Sequence, residues 1–122
     1  MLVSKPWGSY HTLITGDDYV VKQLRISPEQ QFSLQAHAHR TEEWTILEGV
    51  GLMTLGESQE QTSTFVLGKL SRAMVPKGYV HRLKNINKNS DLLVLEIWWG
   101  EGENSLSEED IIRYEDDYDR IG

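Results

Sequence analysis

Along the chain, short apolar runs are broken by Gly, Pro, Asn or Asp, and most are four to eight residues long. They are "YHTLI" (10–14), "YVVKQLRIS" (19–27), "FSLQAH" (32–37), "EWTILE" (43–48), "GLMTLG" (51–56), "STFVL" (63–67), "RAMVP" (72–76), "HRLKNI" (81–86) and "LLVLEIWW" (92–99). Val, Ile, Leu, Thr and aromatics dominate them, as in strands with one buried face. Between Gly16 and Gly100 no stretch places apolar residues at the helical period of 3.6. Only "SLSEEDII" (105–112) reads as helix, with Ser107 as N-cap ahead of acids in the first turn. The pattern predicts an all-β, two-sheet jelly roll or barrel with one short C-terminal helical turn near residues 106–111.

The 122 residues suit one domain, and 39% hydrophobic with 25% charged residues is an ordinary globular balance. A net charge of -7 argues against nucleic acid as a partner, so a phosphate-bearing ligand would need a local basic pocket. The absence of cysteine excludes disulfides, thiolate catalysis and thiolate metal ligands. Any metal must then be held by imidazole, carboxylate or amide oxygen. The opening "MLVSKPWGSY" lacks the apolar core of a signal peptide, and no later run approaches the length of a membrane span. The chain reads as soluble and cytoplasmic, with no membrane partner.

Two clusters carry chemistry. "SLQAHAHRTEEW" (33–44) puts Gln35, His37 and His39 at alternate positions, so in a strand they share one face. Alone, that is a polar face or a metal site. "VPKGYVHRLKN" (75–85) adds a Pro76–Gly78 turn ahead of His81. The joint spacing is Gln35-x-His37, four residues, Glu42, six residues, Gly49; then Pro76-x-Gly78, two residues, His81, three residues, Asn85. This spacing resembles the two motifs of the cupin superfamily, with Gln35 where the first histidine commonly stands. Glu29 and Leu70 stand where that pattern has turn-shaping glycines.

Four ordered segments narrow the resemblance: "KPWGSY" (5–10), "SLQAHAHRTEEW", "VPKGYVHRLKN" and "EEDIIRYEDDYDR" (108–120). They are similar to the cupin domain of type II mannose-6-phosphate isomerases. That domain also forms the C-terminal part of bifunctional enzymes carrying a mannose-1-phosphate guanylyltransferase. The chain departs from the family at Ala38 and Glu43, where further histidines are usual, and at Trp98 and Asp119. The resemblance implies a cupin double-stranded β-helix over residues 1–122, without the nucleotidyltransferase domain, and a homodimer. It implies a divalent metal on Gln35, His37, Glu42 and His81, zinc foremost; Mn, Fe, Co or Ni also suit such nitrogen and oxygen donors.

The implied reaction is aldose–ketose isomerisation of mannose 6-phosphate and fructose 6-phosphate. Its proton shuttle would be His39 or Glu43, with alternation favouring His39. Arg40, Arg113 or Arg120 would anchor the phosphate, with Lys77 and Lys22 as weaker candidates. Trp7, Trp44, Trp98 and Trp99 read as core or interface residues, with pocket lining a lesser alternative for Trp98. The acidic tail reads as a solvated edge whose "RYEDDYDR" part folds back over the barrel mouth. Two other readings stay open: a metal-containing sugar-phosphate-binding module without turnover, and a cupin enzyme acting on another sugar.

Overall fold

The computed structural model describes residues 2–101 and 106–120. Among them lie eleven strands and no helix: β1 (Leu2–Lys5), β2 (Gly8–Thr15), β3 (Tyr19–Ile26), β4 (Leu34–Ala36), β5 (Arg40–Glu48), β6 (Gly51–Ser58), β7 (Gln61–Leu67), β8 (Arg72–Val75), β9 (Val80–Asn85), β10 (Leu92–Gly100) and β11 (Ile112–Glu115). They form two antiparallel sheets, ordered β1-β2-β3-β10-β5-β8 and β11-β4-β9-β6-β7. No helix among the described residues is long and apolar enough to cross a membrane.

Period-two alternation decides which residues face inward. On β5 the inward set runs Arg40, Glu42, Trp44, Ile46, and on β10 it runs Leu92, Val94, Glu96, Trp98. The antiparallel register sets Val94 beside Ile46, Glu96 beside Trp44 and Trp98 beside Glu42. One end of the space between the sheets is therefore apolar and the other polar. The apolar end packs Leu24, Ile26, Phe32, Trp44, Ile46, Met53, Leu83, Leu92 and Val94. Phe32 meets Trp7 and Trp44 edge-on, with centroids 6.0 and 5.7 Å away. Each such side chain contributes roughly 1.5–3 kcal/mol on burial, enough to carry charged groups at the other end.

The expected helical turn is absent. Ser107 does act as a cap, its Oγ accepting the Glu109 N–H at 3.1 Å, but residues 106–111 form successive turns instead of a helix. Their polar groups bond the barrel wall, and Ile112 enters β11, paired with β4. Position 105 lies outside the described residues. β1 and β11 were not expected, because each is only four residues long and neither carries a clean apolar alternation. β4 is shorter than the "FSLQAH" run suggests, ending at Ala36.

Two turns explain the missing glycines. Glu29 and Leu70 have φ of 63° and 70°, the left-handed region that glycine occupies freely. The Pro76–Gly78 turn is tied to the other motif, since the Gly78 N–H donates to the His37 carbonyl at 2.9 Å.

Candidate metal centre

β4, β5 and β9 bring His37, Glu42 and His81 together, with their donor atoms all within 4.8 Å of one another. All three are buried, at 4%, 2% and 0% exposure. His37 Nε2 lies 3.1 Å from Glu42 Oε2, and His81 Nε2 lies 3.6 Å from Glu42 Oε1. Each imidazole donates its Nδ1–H to a backbone carbonyl: His37 to Asp110 at 2.6 Å and His81 to Tyr79 at 3.1 Å. Those bonds fix the tautomer and leave both Nε2 lone pairs facing Glu42, the arrangement of metal-binding histidines. Burial pushes the Glu42 carboxyl up, but the adjacent His37 and His81 imidazoles outweigh it and hold the group well below its usual range.

His81 Nε2 is buried and makes no hydrogen bond among the described residues. A divalent cation would satisfy that orphaned nitrogen together with His37 Nε2 and Glu42, so the residues fit a metal. Gln35 stands opposite His81 across β4–β9 and opposite Arg113 across β11–β4, and its side chain lines the same cavity. The amide could complete the donor set.

The cavity between the sheets is lined by Lys5, Lys22, Arg40, Arg113 and Arg120, five of the chain's 12 Lys and Arg residues. Arg40 donates from Nε to Glu42 Oε2 at 2.8 Å and from Nη2 to His37 Nε2 at 3.3 Å. Lys22 pairs with Glu108, and its Nζ lies 3.6 Å from the Trp98 ring centre and 4.2 Å from that of Tyr10. Arg120 pairs with Asp116 at 2.8 Å. Arg113 Nε is buried without a partner among the described residues. No carboxylate among them pairs with Lys5 or Arg113.

Other expected positions fall outside. The chain leaves the strand at Ala36, so alternation fails and His39 sits exposed in a bend instead of facing the cavity. What holds it there is its backbone, whose N–H donates to Asp110 Oδ2 at 2.9 Å. Glu43 does not line the cavity and pairs with exposed Arg72 at 2.6 Å. Lys77 is exposed in the turn before β9 and is absent from the lining. The cavity instead gains Lys5, Tyr10, Glu96 and Glu108, which sequence reasoning passed over, and Lys22, which it ranked low. A signal existed for two of them. Lys22 and Glu96 occupy the buried phase of β3 and β10, where a charge costs several kcal/mol unless it is paired or used. Trp98, read first as a core or interface residue, also lines the cavity.

The family model described as "Mannose-6-phosphate isomerase C-terminal" matches residues 1–116. The xanthan biosynthesis protein XanB of Xanthomonas campestris pv. campestris is 36% identical over 118 residues, which cover 97% of this chain and 23% of that protein. The mannose-1-phosphate guanylyltransferase of Salmonella muenchen is 34% identical over 113 residues, covering 93% and 22%. The chain thus spans under a quarter of the length of these relatives. Among solved structures, the capsular polysaccharide assembling protein CapF of Staphylococcus aureus superposes with a TM-score of 0.76 at 20% identity, covering 94% of this chain and 32% of that one. The cupin domain of Schizosaccharomyces pombe Cnp3 gives 0.68 at 17% identity, covering 76% and 64%. At these identities the structural likeness shows the fold, a cupin jelly roll. The chain belongs to the mannose-6-phosphate isomerase C-terminal family.

Proposed function

We propose that the domain is a metal-dependent sugar-phosphate isomerase interconverting mannose 6-phosphate and fructose 6-phosphate. The observation that carries this reading is a buried His–Glu–His centre, two of whose members, His37 and Glu42, line a cation-rich cavity in a chain of net charge -7. Cations gathered at one place in an acidic protein suit an anionic ligand. Lys5 and Arg113, with no carboxylate partner among the described residues, are the groups best placed to take the phosphate. His37, Glu42 and His81, with Gln35, would hold the ion, zinc foremost. When bound, it supplies a Lewis acid for the sugar carbonyl. Arg40 orients Glu42 through its 2.8 Å bond.

The test is a coupled assay for fructose 6-phosphate formed from mannose 6-phosphate, before and after chelation. Turnover that disappears with the chelator and returns with a divalent ion is expected. A metal-loaded protein that never converts the sugar contradicts the reading.

A second reading has one observation in its favour: His39 and Glu43, the family-derived candidates for the proton shuttle, both lie outside the cavity. The domain would then bind a sugar phosphate without turning it over. Calorimetry showing saturable binding of mannose 6-phosphate with no product would distinguish this case.

A further inference from the structure

One carboxyl in the cavity wall is not used by the metal centre. Glu96, on β10, faces inward with 6% exposure between Lys22 on β3 and Trp44 on β5. Its Oε2 accepts the Trp44 indole N–H at 2.9 Å, and its Oε1 accepts the Trp98 indole N–H at 2.8 Å. Indoles only donate, so the two rings fix the plane of the carboxyl and leave a second lone pair free on each oxygen. No other hydrogen bond to Glu96 is made among the described residues.

The register places it beside the metal centre on the neighbouring strand. Trp98 lies directly opposite Glu42, so Glu96 and Glu42 are diagonal neighbours on adjacent strands. Such neighbours are about 7–8 Å apart. That separation accommodates two adjacent carbons of an open-chain sugar between a carbonyl-polarising group and a base. The remaining cavity carboxyls are committed: Glu42 to His37, His81 and Arg40, and Glu108 to Lys22.

Building on the isomerase reading, we propose that Glu96 is the catalytic residue that carries the proton between C2 and C1 of the sugar phosphate. From the aldose, the Glu96 carboxylate takes the proton on C2. The C2–H electron pair forms the C1=C2 bond, and the carbonyl π pair moves to O1, which gains a proton. In the second half, Glu96 returns its proton to C1, using the C1=C2 pair. The O2–H pair then closes the C2=O bond as that proton leaves. One proton enters at O1 and one departs from O2, so the balance is zero.

The surroundings suit a group that must both take and give. Burial pushes the Glu96 carboxyl up to about 8, the nearby Glu42 charge adds to this, and Lys22, the Trp44 N–H and Arg40 oppose it. A shuttle works best when its pKa is close to the working pH.

The test compares metal-loaded wild type, Glu96→Gln and Glu96→Asp. It reads kcat, KM, metal content, melting temperature and deuterium uptake into the sugar from D2O. Expected for Glu96→Gln is unchanged metal content, KM within a few-fold, kcat lower by roughly 10²–10⁴-fold and no deuterium uptake. A folded Glu96→Gln protein with kcat within about threefold of wild type overturns the assignment. If Glu96→Gln does not fold, Glu96→Asp decides. It keeps the acid but withdraws it by one methylene, so kcat should fall at least about tenfold at constant KM, and an unchanged kcat overturns the assignment. Inactive wild type defeats the isomerase reading, and this role with it; active wild type beside active Glu96→Gln defeats only the role of Glu96.

Discussion

Glu42 is the residue on which the site converges, accepting from Arg40 and facing both imidazoles while only 2% exposed. His81→Ala removes one donor and should abolish retention of a divalent ion through gel filtration, measured by metal analysis. His39→Ala, at an exposed bend, should retain the ion as wild type does. Because only neutral imidazoles bind a metal, occupancy should fall as the solution is acidified. Glu96 gives a second pH effect with its own sign. Its folded value of about 8 lies above the ordinary glutamate value of 4.5, so the folded chain holds a proton that the unfolded chain releases. Its contribution to stability is complete below about pH 4.5 and declines as pH rises toward about 8. Denaturant midpoints of the chelated protein should therefore fall more steeply between pH 5 and 8 for wild type than for Glu96→Gln; parallel curves would contradict this. The grouping of His37, Glu42 and His81 was legible in the sequence because spacing and alternation both pointed inward. His39 was misplaced because alternation was carried three residues past the end of β4, into a bend held by Asp110.

At the scale of elements, the segment 107–110 matters more than its sequence suggests. It reads as a helix start, yet several of its polar groups are taken by the site. The Ser107 carbonyl accepts from Arg40 at 2.8 Å, and Glu108 pairs with Lys22. The Asp110 carbonyl accepts from His37 at 2.6 Å, and its carboxylate receives the Ala38 and His39 N–H groups, each at 2.9 Å. Tertiary bonds of this kind override local helix propensity and are invisible in a single sequence. Asp110→Ala should loosen the turn that aims His37 and weaken metal affinity by roughly 10–100-fold in a chelator competition. The motif turns make another prediction. Glu29 and Leu70 sit at φ of 63° and 70°. A side chain in that region costs roughly 1–2 kcal/mol, part of which glycine gives back through a freer unfolded chain. Leu70→Gly should therefore raise stability by about 0.5–1 kcal/mol, read as a melting temperature a few degrees higher. Their assignment as turn positions was legible because the motif spacing marks where glycine usually stands.

At the scale of the whole molecule, the outer face of the six-stranded sheet carries an apolar row along β10. Leu93, Leu95, Ile97 and Trp99 alternate along β10 opposite the inward set, and Trp99 is 42% exposed, with its ring 5.7 Å from that of Tyr19. Met74 on edge strand β8 is 51% exposed. We propose that a second copy covers this face. Light scattering should then give twice the 14.0 kDa chain mass at micromolar concentration, and a monomer would refute it. The strand pattern conveyed the two-sheet architecture because alternation is a local property. The cavity's charge balance was hidden, because it depends on which strands the topology makes neighbours. The most direct test of the metal centre is anomalous diffraction from crystals grown with Zn²⁺. A peak is expected ~2.0–2.3 Å from His37 Nε2, His81 Nε2 and a Glu42 oxygen. Saturating zinc with no peak among those three residues would contradict it.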